Sequence, residues 1–157
     1  MAKELEVGDK APALSLPDQS GEPVSLKDFS GKQVVLYFYP KDDTPGCTVE
    51  ACNFRDDYSA YQEAGVVILG VSPDTAKSHT RFKNKFSLPF PLLADADHKI
   101  AEAYGVWGPK KFMGKSYDGI YRTTFLIGPS GDILKVFEKV KPDGHSLQVL
   151  AALKEST

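Results

Sequence analysis

The sequence predicts a single α/β domain with a central mixed sheet flanked by helices. Three observations carry this. Apolar runs alternate with helix-patterned stretches, one strand–helix–strand unit demands a parallel crossover, and a Gly/Pro turn late in the chain joins two strands antiparallel. The run Val34-Val35-Leu36-Tyr37-Phe38-Tyr39 is β-branched and aromatic, lies between Gly31 and Pro40, and reads as a buried strand over residues 34 to 39. A patterned stretch from about 47 to 63 forms a helix that ends by Gly65, and 66 to 71 returns as a second buried strand parallel to the first. A second helix spans 74 to about 86, before the prolines of Leu88-Pro89-Phe90-Pro91 stop it and lead into a short strand near 91 to 94. Residues 99 to 104 make a short helix. Residues 123 to 127 and 133 to 140 flank Gly128-Pro129-Ser130-Gly131-Asp132, a hairpin signal, and an amphipathic helix from about 144 to 154 closes the chain. Glycine and aromatic residues crowd the segment from Trp107 to Gly119 without clear periodicity, which reads as a loop near the functional site. Its aromatics either pack beneath the loop or line an apolar approach for an organic substrate.

The chemistry lies directly behind the first strand, where Cys47 and Cys52, the only two cysteines, follow Pro40-Lys41-Asp42-Asp43-Thr44-Pro45-Gly46. Thr44 suits a helix N-cap and Pro45 the first helical position, so Cys47 falls in the first turn, where free backbone N–H groups and the positive helix end favour an anion. That placement is expected to acidify the thiol. Cys52, more than a turn further on, lacks the helix-end field. On a continuous helix, positions five apart lie roughly 8.7 Å apart between Cα atoms, and a disulfide needs less than about 7 Å. A Cys47–Cys52 bridge therefore requires the first turns to unwind, which makes it a switch and not a staple. A thiolate that meets an oxidant becomes a sulfenic acid, and a second thiol condenses with it to a disulfide. In that scheme Cys47 attacks and Cys52 resolves. Buried core cysteines, a structural disulfide and half of a metal site are the alternatives. A closed zinc site needs paired Cys and His ligands, whereas His79, His98 and His145 are scattered and read as surface or capping residues. No metal and no cofactor is expected.

The motif Pro40-x-x-x-Thr44-x-x-Cys47 resembles the active site of peroxiredoxins. The longer string from Tyr37 to Thr48, with Cys52 five residues after Cys47, is similar to the bacterioferritin comigratory protein (PrxQ) branch of that family. Val7 to Pro12, Leu69 to Ser72 and Tyr121 to Ile127 also fall where the family has such segments, so the resemblance covers nearly the whole chain. It implies a thioredoxin-like fold, here with an N-terminal extension of about 30 residues. It implies a thiol peroxidase acting on hydrogen peroxide and organic hydroperoxides, recycled by thioredoxin or a similar dithiol protein. By the same resemblance Arg122 lies beside the Cys47 thiolate and holds the peroxide oxygens, Thr44 presents its hydroxyl to both, and Pro40 shields the sulfur from bulk water. Glu50 matches a family position read as structural. A general disulfide oxidoreductase is the competing activity, disfavoured by the C-x4-C spacing and by the absence of a proline in Arg122-Thr123-Thr124.

Composition narrows the partners. With 157 residues and 41% hydrophobic content the chain suits one domain with a full core, residues 1–157. Nineteen basic against 21 acidic residues give a net charge of −2, which offers no general attraction to nucleic acid or a membrane surface. No stretch approaches the length of a membrane span, and the N-terminus lacks an apolar leader core, so a cytoplasmic protein is expected. Resolution within one chain needs no second subunit, which predicts a monomer.

Overall fold

The computed structural model describes residues 5–155 of the 157-residue chain. The N-terminal extension holds a small hairpin, β1 (Ser15–Pro17) with β2 (Pro23–Ser25), and a 3-10 turn over Leu26–Phe29. Asp18 sets the bend between the strands, its Oδ1 accepting from the backbone N–H of Ser20 and Glu22 at 2.8 and 3.1 Å. There follow β3 (Gln33–Phe38), α1 (Pro45–Asp56), α2 (Tyr58–Glu63), β4 (Val66–Ser72), α3 (Ala76–Phe86), β5 (Leu92–Ala94) and α4 (Lys99–Ala103). The chain ends with β6 (Trp107–Phe112), β7 (Lys115–Ile120), β8 (Thr123–Ile127), β9 (Ile133–Phe137) and α5 (His145–Glu155).

The main sheet has the order β5-β4-β3-β8-β9. The β3–β4 and β4–β5 pairs are parallel, β3–β8 and β8–β9 antiparallel, which is the mixed sheet expected from the crossover and the turn. Alternation along β3 creates two cores. Val35, Tyr37 and Tyr39 face the layer that holds Ala51, Phe54, Tyr61, Phe82 and Val149, while Val34, Leu36 and Phe38 face Leu14, Leu16, Ala101 and Tyr104. The Tyr37 ring lies 5.4 Å from that of Tyr39 and 4.9 Å from Phe54. It has room only because its neighbour on β4 is Gly70, where a Cβ would sit 3.0 Å from the Tyr37 ring and Leu92. Phe54 anchors α1 in this layer against Tyr37, Tyr61, Phe90 and His145 and is fully buried. Phe54→Ala is expected to lower the unfolding free energy by about 3 to 5 kcal/mol, read from denaturant unfolding.

Four expectations are corrected. The stretch from 47 to 63 is two helices, broken at Asp57, whose backbone leaves helical geometry at φ −97 and ψ 8 and whose carboxylate meets the Ser146 hydroxyl of α5. The second strand of the late hairpin stops at Phe137 and not at residue 140. The segment from Trp107 to Gly119 is the β6–β7 hairpin, paired from Trp107↔Ile120 to Phe112↔Lys115. It shows no alternation because most of both strands is exposed, and its turn uses Met113 and Gly114 at φ 52 and 79, a primed geometry that glycine supplies and methionine rarely does. The histidines form the fourth correction. His98 does cap α4, but His79 and His145 are buried, for reasons given below.

Candidate active site

The end of β3, the start of α1 and the start of β8 meet at one point. Because β8 runs antiparallel to β3 with Phe38 opposite Thr123, the residue before β8, Arg122, lies beside the chain leaving β3 at Tyr39 and Pro40. Tyr39, Pro40 and the loop to Thr44 then turn the chain into α1. Thr44 is the N-cap in extended geometry, Pro45 opens the helix, and Cys47 sits in its first turn, as the local signals required. The Thr44 hydroxyl does not cap the helix. It donates to Lys41 O at 2.9 Å, so its capping role is carried by its backbone carbonyl, which accepts from Thr48 N–H at 2.8 Å. Pro40 is half-buried at the mouth of the loop.

Cys47 is 1% exposed, and Arg122 Nη2 donates to its Sγ at 3.3 Å. The other arm of the fork, Nη1, donates to Glu50 Oε1 at 2.7 Å. The Glu50 and Cys47 charges more than offset the burial that opposes a charged guanidinium, holding Arg122 above its ordinary value. Glu50 is thus paired with the same guanidinium that touches Cys47. It stands three residues after Cys47 on the same helix face, a spacing visible in the sequence, but only tertiary folding brings Arg122 between the two. Burial pushes the Glu50 carboxyl up to about 7, against the lowering pull of Arg122. A Cβ on Gly46 would lie 3.3 Å from Arg122 Nη2 and 3.4 Å from Pro142 Cγ. Gly46→Ala should push the guanidinium off the sulfur and slow oxidation of Cys47 by about tenfold, a cost of about 1.4 kcal/mol that competition kinetics will read.

Cys52 is also free and half-buried. Burial, aided by Asp56 and opposed by Arg55, raises its thiol above the ordinary value, so it stays protonated beside a Cys47 that faces a cation. Helix α1 runs unbroken from Pro45 to Asp56 through both cysteines, the arrangement in which they cannot bond. Its far end is tied down: Asn53 Nδ2 donates to Pro142 O at 3.2 Å, and Phe54 is buried in the core.

A buried polar network braces the loop. Asp42 Oδ1 accepts from the Tyr39 hydroxyl at 2.6 Å, and Oδ2 lies 2.8 Å from Ser78 Oγ and 2.7 Å from His79 Nδ1. His79 Nε2 donates to Leu93 O at 2.9 Å, and Asp74 Oδ2 accepts from Asp42 N–H at 2.7 Å. Asp42, Asp74 and His79 cluster as metal ligands do, but both His79 nitrogens are taken by these bonds, so the cluster is a closed hydrogen-bond network. His145 lies between Thr124 Oγ1 at 2.7 Å and Gln148 Oε1 at 2.9 Å, and burial holds it below the usual imidazole range. Both histidines were invisible as core residues because a lone His carries no periodic signal.

The base of the β6–β7 hairpin borders the site, as expected of that segment. A cavity of about 800 Å³ is lined by Tyr104, Val106, Trp107, Lys110, Phe125 and Arg122 among others. Lys110, held on Ile120 O at 2.8 Å, is lowered by burial and by the Arg122 charge.

Comparison with known proteins agrees with this geometry. Residues 7–136 match the AhpC/TSA family. The chain is 56% identical over 149 residues to the putative peroxiredoxin bcp of Coxiella burnetii, covering 95% of this chain and 99% of the relative. It is 52% identical to the peroxiredoxin Bcp of Escherichia coli K12, over 96% and 97% of the two chains. Among solved structures, the bacterioferritin comigratory protein of Xanthomonas campestris, described for its alkyl peroxide reduction activity, superposes with a TM-score of 0.86 at 42% identity over 91% of each chain. A Cys-to-Ser mutant of Xylella fastidiosa PrxQ superposes at 0.92 with 34% identity over 99% of each.

Proposed function

The chain belongs to the AhpC/TSA family, in its Bcp/PrxQ peroxiredoxin branch, and on that premise we propose that this thiol peroxidase works through Cys47 as attacking sulfur and Cys52 as resolver. The single observation that carries the assignment is the Arg122 Nη2 contact to Cys47 Sγ at 3.3 Å in the first turn of α1. A guanidinium and the helix end stabilise the sulfur as an anion, and the same donors meet the negative charge that develops as the O–O bond breaks. Thr44 donates its hydroxyl to Lys41 O, and half-buried Pro40 lies in the same loop. The sulfur attacks the terminal peroxide oxygen, water or alcohol leaves, and Cys47 becomes a sulfenic acid. Cys52 then condenses with it and releases water.

The substrates are hydrogen peroxide and organic hydroperoxides. The activity described for the Xanthomonas relative supports the organic class. Thioredoxin or a similar dithiol protein returns the electrons, since an intramolecular disulfide is reduced by thiol exchange. The protein works as one domain, residues 1–157, in the cytoplasm and as a monomer. Among the described residues no helix is long and apolar enough to cross a membrane.

One experiment tests the resolving step. After one equivalent of peroxide, peptide mapping is expected to find a Cys47–Cys52 link within a single chain, and amide exchange to accelerate across residues 47 to 52 while Phe54 and beyond stay protected. Equal protection in the reduced and oxidised forms, or a link between two chains, would remove Cys52 from its role.

A further inference from the structure

Two acidic groups share one cation at the floor of this site. Arg122 reaches Cys47 Sγ at 3.3 Å with one arm and Glu50 Oε1 at 2.7 Å with the other. The Glu50 side chain has no exposed surface, and its Oε2 has no hydrogen-bond partner among the described residues. The Tyr37 hydroxyl is likewise buried and unpartnered, and Glu50 is the charge that acts on it most strongly. Charged and titratable groups face the carboxyl from each packed element: Cys47 from α1, Tyr37 from β3 and Arg122 from the start of β8. Asp42 from the loop and His145 from α5 stand farther off, the latter held neutral by its burial. Lys110 adds a cation on the hairpin side of Arg122, but it is bonded to Ile120 O. Arg122 is the cation that touches both acids, and it balances one negative charge, not two.

We propose that Glu50 is the proton store of the peroxidase reaction: Arg122 faces the Cys47 thiolate with Glu50 protonated before peroxide attack, and the ionised Glu50 with a neutral Cys47 after it. The inference rests on the role given to Cys47 above. The step balances. The thiolate attacks the terminal peroxide oxygen, an S–O bond forms, the O–O bond breaks, and sulfur loses the two electrons that the peroxide gains. The proton leaves Glu50 and ends on the departing oxygen, so sulfenic acid and alcohol are both neutral and the single negative charge moves from sulfur to carboxylate. Arg122 stays paired throughout, and while Glu50 starts protonated the step leaves no uncompensated charge in the buried site. A carboxyl brought to about 7 by burial is able to hold that proton near neutral pH and to give it up when the competing anion disappears. Glu50 holds Arg122 at 2.7 Å, and its part in the reaction is to keep and release the proton.

Proton stoichiometry separates this from a purely orienting role. In a Cys52→Ser background, which stops the reaction at sulfenic acid, stopped-flow mixing with hydrogen peroxide in weak buffer with a pH indicator reads protons taken from solvent per sulfenate formed. With Glu50 present, uptake near neutral pH is expected to stay well below one, to fall toward zero as pH drops below 7, and to rise toward one above it, where Glu50 is already ionised. With Glu50→Gln added, uptake is one proton per sulfenic acid formed from the thiolate, at neutral pH as well as above it. Equal uptake of one proton in both proteins overturns the proposal. Infrared difference spectroscopy of the parent chain gives a second reading that needs no folded variant at position 50. A protonated-carboxyl band that disappears on oxidation supports the store, and an unchanged carboxyl region overturns it. If no sulfenate forms in either protein, Cys47 is not the attacking sulfur and this inference falls with that reading; sulfenate formation with unaltered proton uptake sinks the inference alone.

Discussion

Cys47→Ser is expected to abolish rapid peroxide consumption, while Cys52→Ser keeps the first oxidation near the parent rate and stalls as a sulfenic acid. Loss of a nucleophile typically costs several orders of magnitude, so at least a roughly thousandfold fall in the second-order rate constant is anticipated for Cys47→Ser. The rest of the site stays in place in that variant: Arg122, the helix end and the Thr44 loop still meet at the same point, but a serine hydroxyl is not ionised by them. Cys52 does not substitute, because burial keeps its thiol protonated and Arg122 does not contact it. Stopped-flow fluorescence and trapping of the sulfenic acid by a dimedone-type reagent distinguish the two variants. Fast oxidation surviving in Cys47→Ser, or lost in Cys52→Ser, would reverse the two roles.

Arg122→Met carries the second large effect, a loss of about 10²- to 10³-fold in the rate of Cys47 oxidation, the range seen when one preorganised donor to a developing anion is removed. Arg122→Lys should recover only part of it. A single ammonium cannot span Sγ and Glu50 Oε1 as the planar fork does. The Met variant also leaves Glu50, which has no side-chain exposure, without its counter-charge. Stability should then fall with rising pH. In this variant the carboxyl keeps the desolvation that raises it and loses the cation that lowered it, so its folded value stands above the unfolded one. A carboxyl raised on folding binds its proton more tightly in the native state, and stability is lost as pH climbs through and beyond the ordinary carboxylate range. Denaturant unfolding of Arg122→Met at several pH values checks the sign; stability that rises over that window would contradict the burial of an uncompensated acid.

What the amino-acid order determined alone is the part written in short-range physics. The apolar run at 34 to 39, the crossover to 66 to 71 and the Gly/Pro turn at 128 to 132 specify the mixed sheet, since period and turn chemistry act over a few residues. Thr44, Pro45 and Cys47 are likewise legible, because helix initiation is local, and the resemblance of Pro40-x-x-x-Thr44-x-x-Cys47 to peroxiredoxins pointed to Arg122. Several features depended on contacts between distant segments. The break at Asp57 falls where Ser146, 89 positions away, meets its carboxylate, and buried His79 is bonded to Asp42 and to Leu93 O. The β6–β7 hairpin lacks a buried face to imprint alternation on its strands. The meeting of Glu50 with Arg122 across 72 positions is set by the antiparallel register of β8 on β3. Local sequence can place a carboxylate one turn after a cysteine, but whether that carboxylate is solvated or desolvated against a guanidinium is a property of the packed interior, and only the tertiary fold decides it.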